Sequence, residues 1–183
     1  MQIIEALDNA LQGCQRATHL ITQLLTLARL ESSANAVLQP CDLRALATDV
    51  MADSAPEAIS SGIQLELQEG ENCCVQGLPA LLGILLRNVL DNALRYTPAG
   101  TLVQVAIFRQ GTHVCLQIQD NGGGLSSEEL GKITQRFYRP LGSRASGSGL
   151  GLSIVQRIAD IHQANLQLAN TSDGKGLCVT LLF

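Results

Sequence analysis

The sequence contains very few aromatic residues. They make up 3% of the 183 residues, and tryptophan is absent, so aliphatic side chains must fill the core of this protein. Basic residues are also scarce, with 12 Lys and Arg against 16 Asp and Glu and a formal net charge of −4. Because a nucleic-acid-binding domain normally has an excess of basic residues, we expect no nucleic-acid partner.

Long apolar runs and recognisable metal motifs are missing as well. No apolar run reaches the roughly 18 residues that a membrane-spanning helix needs, and Glu5 and Asp8 interrupt any signal-peptide pattern. The six cysteines include no Cys-x-x-Cys pair, which argues against a zinc site. We expect them to be reduced thiols packed as small hydrophobes, as in a cytoplasmic protein.

The N-terminal region has the pattern of a long amphipathic helix. Over residues 2–31, apolar residues repeat at alternating steps of three and four, without a proline. Such a helix is expected to pack in a bundle or a dimer, the alternative being a helix that lies on its own domain. Because Ser32–Asn35 has the composition of a linker, we predict a helical domain over 1–33 and a second domain over 34–183.

The second domain is predicted to be an α+β fold, because runs with strand and helix periodicity are mixed along it. In chain order, the predicted elements are a helix capped by Asp42, strands over 63–67 and 73–76, a helix from Pro79 to near Tyr96, a hairpin of strands over 102–108 and 114–119, a short helix over 127–133, a helix over 150–162, and strands over 165–169 and 177–182.

Two asparagines interrupt the otherwise apolar helix that begins at Pro79. Asn88 and Asn92 are four residues apart and share one helix face, and Arg95 lies on that face one turn further on. Asparagine is a weak helix former, and an unmet buried polar group costs about 1–3 kcal/mol. This face therefore predicts a polar partner, and a ligand with phosphates and a metal ion fits it.

Two glycine-rich segments have the composition of nucleotide-binding loops. In Asp120–Gly124, the aspartate follows a strand and is placed to accept a hydrogen bond from an exocyclic amine, while the glycines allow close approach to a flat ring; a simple glycine loop is the alternative. Gly147–Leu152 opens a helix whose free N–H groups suit a polyphosphate. The irregular segment before it disfavours a Rossmann fold, and the absence of a following Gly-Lys-Ser/Thr disfavours a P-loop.

Between these segments lies Gln135–Pro140, with the sequence Gln-Arg-Phe-Tyr-Arg-Pro. Two arginines beside two aromatic residues predict a lid that clamps phosphate. The alternative is a solvated charged loop that Phe137 anchors to the core.

The order and spacing of the four motifs resemble the ATP-binding domain of sensor histidine kinases, whose fold is shared with gyrase and MutL. The motifs match the N, G1, F and G2 boxes of that family over about residues 36–183, and residues 2–31 resemble the second helix of its dimerisation hairpin. The stretch Arg136–His162 looks most like the QseC-like kinases that signal to OmpR-type response regulators. The resemblance implies the Bergerat ATP-binding fold, a two-layer α/β sandwich with a mixed, mainly antiparallel sheet and helices on one face.

The resemblance also implies roles for individual residues. Asn92 would coordinate the Mg²⁺ that bridges the ATP phosphates, and Asn88 would support that site. Arg95 would reach phosphate, Tyr96 would cover the nucleotide, and Asp120 would bind the adenine amino group. The remaining implied nucleotide-binding residues lie in the glycine loops and the lid, where Arg139 would reach toward the γ-phosphate: Gly122, Gly124, Phe137, Arg139, Gly147, Gly149, Leu150 and Gly151.

Two features of the sequence bear on the reaction. ATPases of this fold carry a glutamate where Asn88 stands, and an amide has no base function, so this site is expected to hold Mg-ATP without readily hydrolysing it. The family's phosphoacceptor is a histidine followed by an acidic residue and then Thr/Asn-Pro, and His19, His113 and His162 all fail that pattern. We therefore expect a fragment that starts after the first hairpin helix and cannot autophosphorylate without it.

The partners implied by the resemblance are a second copy in the full-length kinase, the phosphoacceptor helix and an OmpR-type response regulator. The chain would be the cytoplasmic portion of a bacterial inner-membrane protein, tied to the membrane only through segments outside it. Two alternatives share the site: a serine kinase of the anti-sigma type, and a non-catalytic nucleotide-binding or dimerisation module. The heptad helix argues against the first alternative, and the intact motifs argue against the second.

Overall fold

The computed structural model describes residues 13–14, 17–18, 20–26, 28, 37–140 and 147–183. All described residues up to position 28 are helical, in agreement with the helix predicted there. The rest of that predicted helix and the predicted linker lie outside the described residues, so the division into domains at residue 33 stays a prediction.

Five strands form the main sheet. They are β2 (Gln64–Leu67), β4 (Leu102–Gln110), β5 (His113–Gln119), β6 (Asn165–Asn170) and β7 (Leu177–Leu182), in the spatial order β2-β4-β5-β7-β6. The pair β2-β4 is parallel, and the other three pairs are antiparallel. The sheet is therefore mixed and mainly antiparallel, as predicted.

A separate antiparallel pair joins β1 (Gln39–Asp42) to β3 (Cys74–Gly77). Strand β3 was predicted, but β1 was not, because its four residues include Pro40 and show no extended alternation. A proline is tolerated here because β1 is an edge strand, where one N–H can be missing from the ladder.

Four helices are described in residues 37–183, and the predicted caps are in place. They are α1 (Leu43–Ser60), α2 (Pro79–Tyr96), α3 (Ser127–Leu130) and α4 (Gly151–Ile161). The Asp42 carboxylate caps α1 by accepting hydrogen bonds from the backbone N–H groups of Arg44 at 2.9 Å and Ala45 at 3.1 Å. Pro79 stands in the first turn of α2, where its missing N–H costs nothing.

The core lies between one face of the main sheet and helices α1, α2 and α4. On that face Val105, Ile118 and Val179 are neighbours across three strands, and all three are buried. The opposite face is more polar, with Gln117 donating a hydrogen bond to the Thr180 hydroxyl at 3.2 Å. This is the predicted two-layer arrangement, and no aromatic residue is among the buried core residues that the structure describes.

The described helices include none that is long and apolar enough to cross a membrane. All six cysteines are free. Cys41, Cys73 and Cys115 are buried, and burial raises the pKa of the Cys41 and Cys115 thiols. The expectation that all six pack as small hydrophobes is wrong for Cys14 and Cys74, which are exposed.

Candidate functional site

The four motifs converge on one cavity of about 520 Å³, a size typical of small-molecule sites. Its walls come from α2, the loop after β5, the lid segment and the start of α4. Eleven of the thirteen predicted site residues line it: Asn88, Asn92, Arg95, Tyr96, Asp120, Gly122, Gly124, Arg139, Gly147, Gly149 and Gly151.

Helix α2 separates an apolar face from an amide face. Its apolar face is buried in the core, where Leu85, Leu86 and Leu90 are fully buried. The face with Asn88 and Asn92 is only half-buried, because it lines the cavity and is not enclosed by the core. The reading of this face as buried is therefore corrected: the amides are at the wall of an open site.

The two asparagines differ in what their side chains contact. Asn88 is engaged at both ends, since its Nδ2 donates to the Ile84 carbonyl at 2.8 Å and its Oδ1 accepts from Gln23 Nε2 at 3.3 Å. The amide of Asn92 makes no hydrogen bond to any residue that the structure describes, although it lines the same wall. Asn92 is therefore the amide that is available to a ligand.

Asp120 forms the floor at one end of the cavity and is 5% exposed. Its Oδ1 accepts hydrogen bonds from the backbone N–H groups of Gly122 at 2.7 Å and Leu177 at 3.1 Å. Burial raises the pKa of this carboxyl, while the two N–H donors act in the opposite direction. The other carboxylate oxygen has no hydrogen bond within the described residues, so it can accept one from a ligand.

Gly122 is required by the close packing beside Asp120. A Cβ atom at this position would lie 2.8 Å from the Tyr96 carbonyl oxygen and 3.0 Å from Asp120 Oδ1. Any side chain here would push the end of α2 away from the loop. The glycine thus lets the loop pass close to Tyr96, which lines the same end of the cavity.

At the other end, the glycine segment leads into the N-terminus of α4. No side chain caps the helix at Leu150, and the N–H of Leu150 is held by the Ser148 hydroxyl at 3.1 Å. Gly151 begins α4, and a Cβ atom added to it would lie 3.4 Å from Asn88 Oδ1. The first turn of α4 therefore lies close to the Asn88 side chain. A helix N-terminus beside an amide oxygen is suited to an anion that carries a bound cation.

The lid segment runs beside this glycine loop. The backbone N–H of Phe137 donates to the Gly149 carbonyl at 2.9 Å, and both residues have a positive φ, 64° and 71°. A Cβ on Gly149 would lie 2.7 Å from the Phe137 carbonyl carbon, so only glycine fits. The lid and the loop are thus joined through their backbones.

Two predicted nucleotide-binding residues do not line the cavity. Phe137 is 63% exposed, so the alternative that it anchors the lid to the core is wrong; Tyr138 packs against the core and lines the cavity in its place. Leu150 is fully buried beneath the loop, where it anchors α4. The nucleotide-binding roles of Phe137 and Leu150 stay predictions, as does that of Arg139, which does line the cavity.

Several cavity residues were not predicted. Gln23 from the N-terminal helix is 7% exposed, and its Oε1 accepts a hydrogen bond from the Ser148 hydroxyl. Leu125, Leu152 and Leu177 add apolar surface. A glutamine within a leucine-rich helix is a signal that could have identified Gln23. The three cavity leucines cannot be distinguished in the sequence from other core residues.

The two histidines that the structure describes are structural. His162 is buried, and its Nε2 accepts from the Leu78 N–H at 2.9 Å while its Nδ1 lies 2.7 Å from the Ile158 carbonyl oxygen. His113 Nδ1 lies 3.2 Å from the Phe183 carbonyl oxygen. His19 lies outside the described residues.

A site for a divalent cation in this cavity would use few protein ligands. Among the described residues, no group of three or more His, Cys, Asp or Glu side chains is arranged to hold a metal ion. The Asn92 oxygen is a hard ligand of the type that Mg²⁺ accepts, and Mg²⁺ commonly takes only one or two protein ligands beside phosphates and water. The residues present therefore fit Mg²⁺ that arrives with a polyphosphate.

Comparison with known proteins places this site in a family. Residues 77–183 match the family described as "Histidine kinase-, DNA gyrase B-, and HSP90-like ATPase". The chain is 41% identical over 168 residues to the sensor protein kinase PmrB of Pseudomonas aeruginosa, covering 91% of this chain and 35% of that protein. It is 42% identical over 167 residues to the sensor protein QseC of Escherichia coli O157:H7, covering 88% of this chain and 36% of that protein.

A solved structure gives the same result. The cytoplasmic segment of histidine kinase QseC is 30% identical and matches with a TM-score of 0.59, covering 91% of each chain. The chain spans about a third of the length of the curated relatives it matches. With its four motifs around one cavity on a two-layer fold, the chain belongs to the family of histidine kinase-, DNA gyrase B- and HSP90-like ATPases, as an ATP-binding catalytic domain of the sensor histidine kinase type.

Proposed function

We propose that the chain binds Mg-ATP in this cavity and donates the γ-phosphoryl group to a histidine of a sensor kinase. One observation carries the proposal: a single cavity is lined by the Asp120 carboxylate, beside Gly122 and Tyr96, and also by the Asn92 amide and the start of α4, which lies close to Asn88 earlier in α2. These groups match an amine-bearing base at one end and a polyphosphate at the other.

The part of the cavity beside Asp120, called the base end, is suited to adenine as the base of the nucleotide. Asp120 is held by two backbone N–H groups on Oδ1, so its second oxygen has a fixed direction before the ligand arrives. The exocyclic amine of adenine is a donor that this oxygen accepts, whereas the carbonyl oxygen of hypoxanthine or guanine at that position is not. Gly122 keeps the wall beside it free of side chains.

The phosphate end supports a metal-bound triphosphate. Asn92 would contribute its amide oxygen to Mg²⁺, and Arg95 and Arg139 would contribute positive charge beside the phosphates. When bound, Mg²⁺ would neutralise phosphate charge and align the groups that react. Asn88 would support the same wall through its bond to the Ile84 carbonyl.

The chemistry at Asn88 favours transfer over hydrolysis. A carboxylate at this position can take a proton from water, but an amide cannot. The attacking group would be the imidazole nitrogen of the acceptor, which bonds to the γ-phosphorus as the bond to the β–γ bridging oxygen breaks. That oxygen keeps the electron pair, and ADP is released. No proton has to be taken up by Asn88 in this step.

The acceptor is proposed to be a histidine on the first helix of a dimerisation hairpin. His113 and His162 are engaged with backbone groups and lie away from the cavity. In the whole kinase we propose a homodimer, an OmpR-type response regulator that takes the phosphoryl group onto aspartate, and a cytoplasmic position below an inner-membrane sensor. The sequence relationship to PmrB and QseC supports these partners.

Two measurements test the proposal. Isothermal titration with Mg-ADP is expected to show one binding site per chain. With ATP labelled on the γ-phosphate, and a separately made hairpin domain from a related kinase, label is expected to appear on the histidine of that domain. Binding without transfer would favour a non-catalytic nucleotide-binding module, label on serine would favour a serine kinase, and absence of binding would overturn the assignment.

A further inference from the structure

The loop that forms the base end of the cavity, residues 120–125, is held by the turn between β6 and β7. The Asp120 N–H donates to the Leu177 carbonyl at 3.0 Å, and the Gly123 N–H donates to the Lys175 carbonyl at 3.1 Å. Asn170, the last residue of β6, binds both backbone groups of Leu125. No residue of the turn over 171–176 lines the cavity, whereas Leu177, which begins β7, does.

Asn170 makes a two-point contact that fits a peptide unit. Its Oδ1 accepts from the Leu125 N–H at 2.8 Å, and its Nδ2 donates to the Leu125 carbonyl at 2.7 Å. Only an amide of this length supplies a donor and an acceptor in one plane at this place. An aspartate would keep the first bond but would set a carboxylate oxygen against the Leu125 carbonyl.

The turn that follows Asn170 is itself held by internal hydrogen bonds. The Asp173 carboxylate accepts from the Thr171 hydroxyl at 2.6 Å and from the Lys175 N–H at 3.1 Å, and the Thr171 N–H donates to the Gly176 carbonyl at 2.9 Å. The hydrogen bond from Thr171 is the main cause that lowers the pKa of Asp173. The turn is therefore fixed by its own bonds and can serve as a support.

Loop and turn are packed too closely for a side chain to fit between them at Gly124 or Gly176. A Cβ on Gly124 would lie 2.5 Å from the Gly174 carbonyl oxygen and 3.2 Å from Asn170 Oδ1. A Cβ on Gly176 would lie 1.7 Å from the Asp120 carbonyl oxygen. Since Gly124 and Leu125 also line the cavity, the position of the turn determines the shape of the base end.

We propose that Asn170 is a positioning residue that sets the base selectivity of the site by holding the Leu125 backbone in register with Asp120. This inference rests on the proposed nucleotide-binding function. Asn170 does not line the cavity, so it acts through Leu125 and the glycine loop. Without its two bonds the Leu125 end of the loop can move relative to Asp120, and the site then loses the close fit on which recognition of the adenine amine depends.

The test compares two nucleotides on four proteins. Dissociation constants for Mg-ADP and Mg-IDP are measured by isothermal titration for the wild-type chain, Asn170→Ala, Asn170→Asp and Asn165→Ala. The base of Mg-IDP carries a carbonyl oxygen at the position where the adenine of Mg-ADP carries its amine. Asn165 is the matched control, because it begins the same strand, is exposed and does not line the cavity.

Asn170→Ala is expected to raise the dissociation constant of Mg-ADP by about tenfold, the equivalent of two ordinary hydrogen bonds. The dissociation constant of Mg-IDP is expected to change by less than about twofold. The ADP preference then falls by nearly the same factor, Asn170→Asp behaves like the alanine variant, and Asn165→Ala matches wild type. In ligand-free protein, amide exchange at Leu125 is expected to speed up in Asn170→Ala, because its acceptor is gone.

The outcomes separate this inference from the proposed function. If wild type binds neither nucleotide, the proposed function fails and the inference with it. If wild type prefers Mg-ADP and Asn170→Ala keeps that preference, or if both nucleotides weaken equally, Asn170 has no part in selectivity and the inference alone fails. Unchanged exchange at Leu125 would equally overturn the positioning role.

Discussion

The side-chain amide of Gln23 donates a hydrogen bond to Asn88 Oδ1 at 3.3 Å, which joins the N-terminal helix to the wall of the nucleotide site. Gln23 also accepts a hydrogen bond from the Ser148 hydroxyl in the glycine loop. It is buried, whereas Ile21, Leu24 and Leu25 on the same helix are exposed. The Gln23 side chain thus forms hydrogen bonds with the Asn88 amide oxygen and the Ser148 hydroxyl, which both lie at the proposed phosphate end.

Replacing Gln23 with alanine is therefore expected to strengthen Mg-ADP binding by about three- to tenfold, because the ligand no longer has to displace one or two hydrogen bonds. Alanine is a good helix former, so the helix itself is preserved. Isothermal titration is the measurement. Thr22→Ala is the control, because Thr22 is the exposed neighbour of Gln23. Weaker binding in Gln23→Ala would instead make Gln23 a ligand contact.

Asn92 and Asn88 are expected to respond differently to substitution. Asn92→Ala should abolish phosphoryl transfer and weaken Mg-nucleotide binding, because Asn92 has the amide available to the metal. Transfer is followed with γ-labelled ATP and a separate acceptor domain, and circular dichroism checks the fold. Unchanged binding and transfer in Asn92→Ala would falsify the assignment of the metal ligand.

Asn88→Glu is expected to raise the slow hydrolysis of ATP in the absence of an acceptor, because a carboxylate at this position can act as a base toward water. The same substitution removes the donor to the Ile84 carbonyl, so transfer should fall. Phosphate release is measured by a coupled assay, with Asn88→Gln as the variant that keeps an amide. Equal hydrolysis by both variants would contradict the role given to this position.

The parts of the fold that the sequence predicts well are those set by neighbouring residues. Asp42 as a cap, Pro79 in a first turn and the hairpin with Gly111 at φ 61° all depend on contacts within a few positions. Gln23 and Asn170 were missed because their partners are 65 and 45 residues away. The exposure of Phe137 was missed because its backbone has a positive φ and a hydrogen bond to Gly149, neither of which its neighbouring residues indicate.

Gly149 is expected to be intolerant of a side chain. Its φ of 71° costs an L-residue about 1–2 kcal/mol, and a Cβ would lie 2.8 Å from the Tyr138 carbonyl oxygen. Gly149→Ala should lower the free energy of unfolding by about 1–3 kcal/mol and displace the lid from the cavity. Urea unfolding and Mg-ADP titration measure both effects.

Gly131→Ala is the matched control for Gly149→Ala. Gly131 has a φ of −70°, and its nearest contacts to an added Cβ are at 3.6 Å and beyond. The free energy of unfolding of the Gly131→Ala variant is expected to stay within about 0.5 kcal/mol of the wild-type value. If both variants behave alike, the strain at Gly149 is not what fixes the lid.

Asp120→Asn is expected to separate stability from recognition. Asparagine can still accept from the Gly122 and Leu177 N–H groups, but its Nδ2 would face the adenine amine with a donor, so Mg-ADP binding should weaken by at least about tenfold.

Burial raises the pKa of the Asp120 carboxyl, so this group favours the folded chain most at pH below its unfolded pKa, and that contribution is lost as pH rises through the folded pKa. Asp120→Asn, which has no charge to bury, should therefore unfold at higher urea than wild type at pH 7, with the difference shrinking toward acid pH. The pH series of urea midpoints, set beside titrations with Mg-ADP, is the measurement, and a stability difference that grows on acidification would show that Asp120 is not strained by burial.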